Sequence, residues 1–382
     1  MRLRVTTSFL PAVLILLAAS ACAGSAGSSA APSGPAISAL QRPRTETSGV
    51  QPASNKSILK LLKESVVIGS TVDPSNGDTG PYAISIVPCA HCGTLQKGQL
   101  LVCNFENSAG TPGEGTTIET LDPAPSSSPK RWVANNSIEG CDGDAITSIN
   151  TLYAGGLTSG DIVEFSNAGK VDQTYTGVGP FSDVDALPKP AFSPEYIFIG
   201  TTNGTIVSIS GGFYGNGEAV QVAEGFATNS GAGWSELAPS GLQYSRNLDT
   251  LYIADGVTNT IVAFSHASDL LEQNEIIVEP GGKTFQCSNP SVTCASLVYS
   301  GSPLNAPVAM ALEPDGNLIV ANTGGTANEL VELTPAGKIL DTKVVDSSPT
   351  QGVYGLHAAG TTSDPVLFYS DTNSNEVIEL EE

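Results

Sequence analysis

The sequence predicts an all-β protein, a six-bladed β-propeller preceded by a signal peptide and a flexible tether. Three observations lead to this prediction. Only 14% of the 382 residues are charged, and the chain contains 41 Gly and 25 Pro. A pair of short apolar strands recurs six times, and signals for helices are sparse. A coiled coil or a large helical bundle is excluded, because both need dense periodic Glu, Lys, Leu and Ala.

The N-terminus, residues 1–21, has the pattern of a lipoprotein signal peptide. Arg2 and Arg4 precede an apolar stretch that is too short to span a membrane as a mature helix. Ser20-Ala21-Cys22 then resembles the lipobox of bacterial lipoproteins, in which the cysteine is acylated. The alternative is an ordinary secretory signal that is cut nearby. Either signal exports the protein, and acylation of Cys22 would anchor it to a membrane of the bacterial cell envelope (the outer membrane in a Gram-negative cell).

Residues 22–57 are rich in Ser, Ala, Pro and Gly, and this composition predicts a disordered tether. The propeller is expected to occupy residues 58–382. The formal net charge of −22 disfavours nucleic acid as a partner, because phosphate contacts need a basic face.

Six cysteines remain after Cys22, and in an exported chain they predict disulfides. Cys287 and Cys294 flank an Asn-Pro turn and are expected to form a local bridge. The pairing of Cys89, Cys92, Cys103 and Cys141 stays open. The Cys89-Ala-His-Cys92 segment lacks the following His that c-type haem requires and the βαβ context of a thioredoxin-like site, so structural disulfides are expected there too.

The repeated unit is an apolar strand, a polar turn and a second strand with the pattern apolar-apolar-x-apolar. Its second strands begin at Ile118, Ile162, Ile206, Ile261, Leu330 and Val377. Each blade would be apolar on both faces, so it needs neighbours on both sides, and radial stacking provides them. Further upstream strands, such as 82–88, 307–312 and 353–357, would line a central channel. Ser65–Ser70 could supply the missing outer strand of the sixth blade and close the ring. The main helix candidate is Ser57–Glu64.

Repeated Leu-Tyr-Ile-Ala-Asp with Asn-Thr-Ile-Val and Asp-Gly-Asn-Leu resembles NHL-repeat propellers and, more loosely, the SMP-30/gluconolactonase-like superfamily. The resemblance covers roughly residues 60 to 382. It implies a six-bladed propeller, and lactonases of that superfamily hold a divalent metal with Glu, Asn and Asp in the channel. Because unrelated activities share this scaffold, the resemblance predicts fold better than function.

The polar residues expected near the channel mouth are Asp142, Asp144, Asp183, Asp185 and His357. Convergent carboxylates would suit Ca²⁺, which favours several oxygen ligands. The alternative is that these aspartates cap turns and face water. Asp255, Asn322 and Asp371 lie where strands meet turns, and we expect them to bind turn amides. Tyr214 and Trp234 could stack on a ligand or pack under loops.

The sequence contains none of the common catalytic motifs, and it has three histidines. We therefore expect a monomeric, non-catalytic propeller without a cofactor, which binds a protein, peptide or glycan at the cell envelope. The alternative is a metal-dependent hydrolase of the SMP-30/lactonase type that uses carboxylates in the channel.

Overall fold

The computed structural model describes residues 54–179, 181–187, 195–211, 217–229 and 237–382, without the side chains of 181–187, 195, 210 and 211. Its first thirteen strands are β1 Glu64–Ser70, β2 Thr79–Ile86, β3 Leu100–Glu106, β4 Thr117–Leu121, β5 Lys130–Ala134, β6 Cys141–Ile146, β7 Leu152–Gly156, β8 Ile162–Phe165, β9 Val171–Tyr175, β10 Phe181–Leu187, β11 Glu195–Thr201, β12 Ile206–Gly211 and β13 Ala219–Glu224.

The other strands are β14 Pro239–Ser245, β15 Thr250–Asp255, β16 Thr260–Ser265, β17 Ile276–Val278, β18 Phe285–Cys287, β19 Cys294–Ser300, β20 Pro307–Leu312, β21 Leu318–Asn322, β22 Asn328–Leu333, β23 Ile339–Asp346, β24 Leu356–Thr361, β25 Asp364–Asp371 and β26 Glu376–Glu381. The described helical segments are the 3-10 turns Asn136–Ile138 and Ala267–Asp269. Neither these nor any other helix in the described ranges has the length and hydropathy needed to cross a bilayer.

The strands form six sheets, which confirms the six-bladed propeller. Their pairing is antiparallel except between β13 and β17, where the sheet of blade 3 continues into β17 and β18. Blade 1 is β2–β5, blade 2 is β6–β9, blade 3 is β10–β13, blade 4 is β14–β16 with β19, and blade 5 is β20–β23. Blade 6 combines β24–β26 with β1, which pairs with β26 from Glu64↔Glu381 to Ser70↔Glu376. The strand expected at residues 65–70 therefore closes the ring.

The apolar core is divided among the seams between blades. Each of six buried clusters takes its side chains from two neighbouring blades; one, for example, joins Ile319 and Leu330 of blade 5 to Leu367 and Leu380 of blade 6. Neither face of a blade is left to water, which is the arrangement that the doubly apolar strands require.

Two expected elements differ from the structure. Residues 57–64 do not form a helix, because Glu332 binds the backbone N–H groups of Ile58 and Leu59 and holds a single turn before β1 begins. The last inner strand begins at Leu356 rather than at residue 353. Gly352 N–H donates to Asn328 Oδ1, and Gly355 N–H donates to Ser370 Oγ. These amides therefore bond to side chains and not to the backbone of a neighbouring strand.

Three cysteine pairs lie at disulfide distance. Cys103 on β3 pairs with Cys141 on β6, and this bridge joins blades 1 and 2 with a Cα–Cα distance of 5.3 Å. The expected local bridge between Cys287 and Cys294 links β18, which extends the sheet of blade 3, to β19 of blade 4. Cys89 pairs with Cys92 within the loop that follows β2.

Candidate functional site

The first strand of each blade lines the inner wall, and its polar side chains bond across the seams between blades. Ser85 Oγ on β2 donates to Asp144 Oδ1 on β6, at 2.9 Å. The amide of Leu312 on β20 donates to Gln243 Oε1 on β14, at 3.2 Å. His357 on β24 is hydrogen-bonded to the backbone of Ile84 on β2. These bonds link three pairs of neighbouring inner strands, β2 with β6, β14 with β20 and β24 with β2.

Asp144 is the most unusual of these groups. Its side chain is buried, and its Oδ2 meets no hydrogen-bond donor among the residues that the structure describes. Burial raises its pKa to about 7, although the bond from Ser85 works in the opposite direction. A carboxyl group that titrates near neutral pH can take a proton from a ligand. In its ionised form it can instead pair with a cation.

His357 is uncharged at neutral pH. Desolvation lowers its pKa to about 4, against the opposing effect of the hydrogen bond with Ile84. A neutral imidazole offers one nitrogen as a donor and the other as an acceptor. His357 is therefore suited to hydrogen bonding rather than to pairing with an anion.

The other predicted site residues occupy the same wall. Asp142 is buried at a β-bulge near the start of β6, and Asp183 and Asp185 lie in β10, the inner strand beside β6. The side chains of Asp183 and Asp185 fall outside the description, as do Cys22, Tyr214 and Trp234. Asp142 and Asp144 are strand residues and not the water-facing turn caps of the alternative reading. Across the described ranges, no three His, Cys, Asp or Glu side chains form a group that could hold a metal.

Two of the three residues at strand-to-turn junctions act as expected. Asp255 Oδ1 accepts the amides of Val257 and Thr258, and Asp371 Oδ1 accepts the amide of Asn373. Asn322 Oδ1 instead accepts the amide of Asn305 in the preceding loop, at 3.0 Å. These side chains fix the turns of one face of the propeller.

Ser85 and Gln243 were not among the predicted site residues, although the strand 82–88 was expected to line the channel. Each is a polar residue between two large apolar or aromatic neighbours, in Ile84-Ser85-Ile86 and Leu242-Gln243-Tyr244, and this pattern is visible in the sequence. Sequence analysis also missed Glu332, which is fully buried and receives hydrogen bonds from Ser57 Oγ and from the amides of Ile58 and Leu59. The partner of Glu332 is distant in sequence, so no local pattern marks it.

A second cluster of buried acidic side chains, Asp73 and Glu119, lies near the loop between blades 6 and 1. Arg131 binds both carboxylate oxygens of Asp73. Burial alone would raise the pKa of Asp73, but the bonds from Arg131 and from the amides of Ser75 and Asn76 hold it well below its usual range. Burial, together with the adjacent Asp73 carboxylate, raises the pKa of Glu119 to about 9.

We expect Glu119→Gln to change the pH dependence of stability. Because Glu119 holds its proton up to about pH 9 in the folded state and only to about pH 4.5 when unfolded, its contribution is full at low pH and declines as the pH rises. Urea unfolding should show the wild type losing on the order of 2 kcal/mol more than Glu119→Gln between pH 5 and 8, allowing for solvent screening. The exposed Glu114→Gln is the control, and parallel curves for all three proteins would contradict the assignment.

The sequence matches no protein-family model and no curated protein. Among solved structures, a gluconolactonase from Xanthomonas campestris superimposes with a TM-score of 0.53 and 10% identity, over 90% of this chain and 98% of that one. Virginiamycin B lyase from Staphylococcus aureus gives a TM-score of 0.48 and 14% identity, over 84% of this chain and 98% of that one. The gluconolactonase shares the fold of this chain. At such identities the likeness carries no residue roles.

Proposed function

We propose that this chain is an exported, lipid-anchored, NHL-like propeller that binds a protein, peptide or glycan partner at the cell envelope without acting chemically on it. The observation that carries the proposal is the place where the N-terminal segment joins the propeller. Residues 55–63 are bound to one face of blades 5 and 6, so the chain's own N-terminal segment covers part of that face. We therefore assign the partner to the opposite face.

The docking of the segment is specific. Lys338 Nζ donates to Asn55 Oδ1 at 3.1 Å, and Asn317 Nδ2 approaches the carbonyl of Lys56 at 3.5 Å. Asn317 and Lys338 lie in the two turns of blade 5 that connect β20 to β21 and β22 to β23. We call the end of the propeller that carries these turns the anchor face. The end that carries the turns between the second and third strands of each blade is the distal face.

The hydrogen bonds between inner strands and within the turns support binding at the distal face. The bonds of Ser85, Gln243 and His357 hold neighbouring inner strands together. Asp255 and Asp371 fix the turns that they precede, and Asn322 fixes the loop before β20. Loops on a rigid scaffold lose little conformational entropy when they bind, which favours affinity.

The leader supports the membrane attachment that we propose. The Ser20-Ala21-Cys22 junction supports acylation of Cys22, and the polar segment after it supports a flexible spacer. A lipid anchor would hold this acidic domain at the membrane, although anionic lipids repel its negative charge.

The proposal is tested by site-specific photo-crosslinking in cells. Thr326 is exposed on the distal face of blade 5, and Ala336 is exposed on the anchor face of the same blade, so a photoreactive residue at each position forms a matched pair. We expect a discrete adduct with a partner from position 326 and none with that partner from position 336. Cys22→Ser should move the protein from the membrane to the soluble fraction. Equal adducts from both positions, or a Cys22→Ser protein that still needs detergent for extraction, would contradict the proposal.

A metal-dependent hydrolase is the second candidate, and Asp144 is the observation that favours it. Its buried Oδ2, free of described donors, is the kind of oxygen that Ca²⁺ or Zn²⁺ accepts as a ligand. Metal analysis of the purified protein and of Asp144→Asn, with thermal unfolding in the presence and absence of EDTA, separates the candidates. The binding proposal expects no stoichiometric metal and no EDTA effect. A metal that is bound by the wild type and lost in Asp144→Asn would favour the hydrolase.

A further inference from the structure

We propose that the Cys89–Cys92 disulfide is a redox-active site that exchanges with the thiols of a protein partner, whereas the other two disulfides are structural. The three bridges differ in what they connect. Cys103–Cys141 joins two blades and Cys287–Cys294 joins two sheets, but Cys89–Cys92 closes a loop with a sequence separation of only 3. Loop closure contributes least for such a short ring, so opening this bridge removes little stability.

The loop that carries the pair is held in place without the sulfur–sulfur bond. Asn150, from the turn after β6, accepts the amide of Cys89 at 3.0 Å and donates to the carbonyls of Cys89 and Cys92, at 3.1 and 2.9 Å. The amide of Thr94 donates to the carbonyl of Asn167 at 3.0 Å. Reduction would therefore leave two thiols on a fixed backbone, with their Cα atoms 5.6 Å apart in the oxidised form. A pair held in this way can open and close without unfolding the protein.

The pair is also accessible. Cys89 and Cys92 are partly exposed, and Ala90 and His91 between them are exposed, whereas Cys103 and Cys141 are completely buried. A thiolate has to reach a disulfide sulfur in order to attack it, so exposure is the first requirement for exchange. The imidazole of His91, within the four-residue ring, can donate a hydrogen bond to a released thiolate.

The reaction balances with a protein dithiol as the reductant. One thiolate of the partner attacks a sulfur of the pair, the Cys89–Cys92 bond breaks, and the released cysteine leaves as a thiolate that takes up a proton. The second thiol of the partner loses its proton and attacks the mixed disulfide. The partner is then oxidised to a disulfide by two electrons, and Cys89 and Cys92 are reduced to two thiols.

The first test equilibrates the full chain in glutathione buffers of graded reducing power, followed by acid quenching, alkylation and peptide mass spectrometry. We expect Cys89 and Cys92 to become alkylated at a glutathione ratio at least about tenfold more oxidising than any that opens the other two bridges. The Tm of the protein reduced only at this pair should fall by no more than about 4 °C. The proposal is overturned if the pair opens only together with Cys103–Cys141, or only as the protein unfolds.

The second test uses single cysteine variants. Cys92→Ser and Cys89→Ser each leave one thiol in the loop, and at least one of them should form a mixed disulfide with oxidised glutathione faster than Cys287→Ser, which leaves Cys294 as a partly exposed control. Adding His91→Ala to the faster variant should slow this reaction about threefold or more, with no change in Tm. Reaction of both loop variants at or below the rate of the Cys287→Ser control would overturn the proposal.

Discussion

Glu332→Ala should lower the free energy of unfolding by about 3 kcal/mol near pH 5. The carboxylate is fully buried and accepts bonds from Ser57 Oγ and from the amides of Ile58 and Leu59, at 3.0 Å for each amide. Its removal leaves two buried N–H groups without their acceptor. It also frees the segment that places Ile58, Leu59 and Leu62 in the cluster between blades 5 and 6.

The same variant should lose less stability near pH 8, because Glu332 faces a second carboxyl group. Burial and the nearby Glu332 and Asp315 raise the pKa of Glu313 well above its usual value. A raised pKa makes the contribution of Glu313 full at low pH and progressively smaller as the pH rises. Removing Glu332 relieves part of that alkaline loss, so the difference between wild type and variant should shrink.

Urea unfolding at pH 5 and pH 8 measures both effects, and limited trypsin digestion reports on Lys56, Lys60 and Lys63 in the released segment. Glu329→Ala, on the same strand but partly exposed, is the matched control and should change stability by less than about 0.5 kcal/mol. Ser57→Ala removes one of the three bonds and should lose about 1 kcal/mol. If Glu332→Ala behaves like Glu329→Ala, the docked segment does not contribute to the fold and the anchor face loses its support.

The double variant Cys103→Ala/Cys141→Ala should lose about 4 kcal/mol, the largest effect that we expect for a cysteine pair. The bridge spans a sequence separation of 38 and joins blade 1 to blade 2, so it removes far more freedom from the unfolded chain than a local loop does. Both sulfurs are completely buried, and truncation to Ala also leaves a small cavity in the seam.

Thermal and urea unfolding of the oxidised proteins measure this effect. Cys89→Ala/Cys92→Ala is the matched control and should lose about 2 kcal/mol or less, because its loop is much shorter. Equal losses in the two double variants would mean that loop length does not set the stabilisation. That result would also remove the distinction between structural and exchangeable bridges.

The sequence predicted the repeating strands well. The pattern around Ile118, Ile162, Ile206, Ile261, Leu330 and Val377 placed the paired strands of all six blades, because alternation and apolar runs are local properties of a strand. It also placed the closing strand near residues 65–70 and the roles of Asp255 and Asp371. A strand and a turn cap each depend on residues that are neighbours in the chain, whereas the pairing of β1 with β26 joins the two ends of the propeller.

The sequence could not predict contacts made across the seams. Cys103 forms a disulfide with Cys141, Ser85 donates a hydrogen bond to Asp144, and Glu332 accepts hydrogen bonds from the amides of Ile58 and Leu59. The partners in each case are too far apart in the sequence for a local pattern to predict the contact. The helix expected at Ser57–Glu64 was wrong for the same reason. The local residues favour a helix, but the amides of Ile58 and Leu59 donate to Glu332 of blade 5. The amino-acid sequence by itself determined the strands and the propeller. Only the tertiary structure decided which polar groups meet between blades, because burying them is favourable only where distant segments supply their partners.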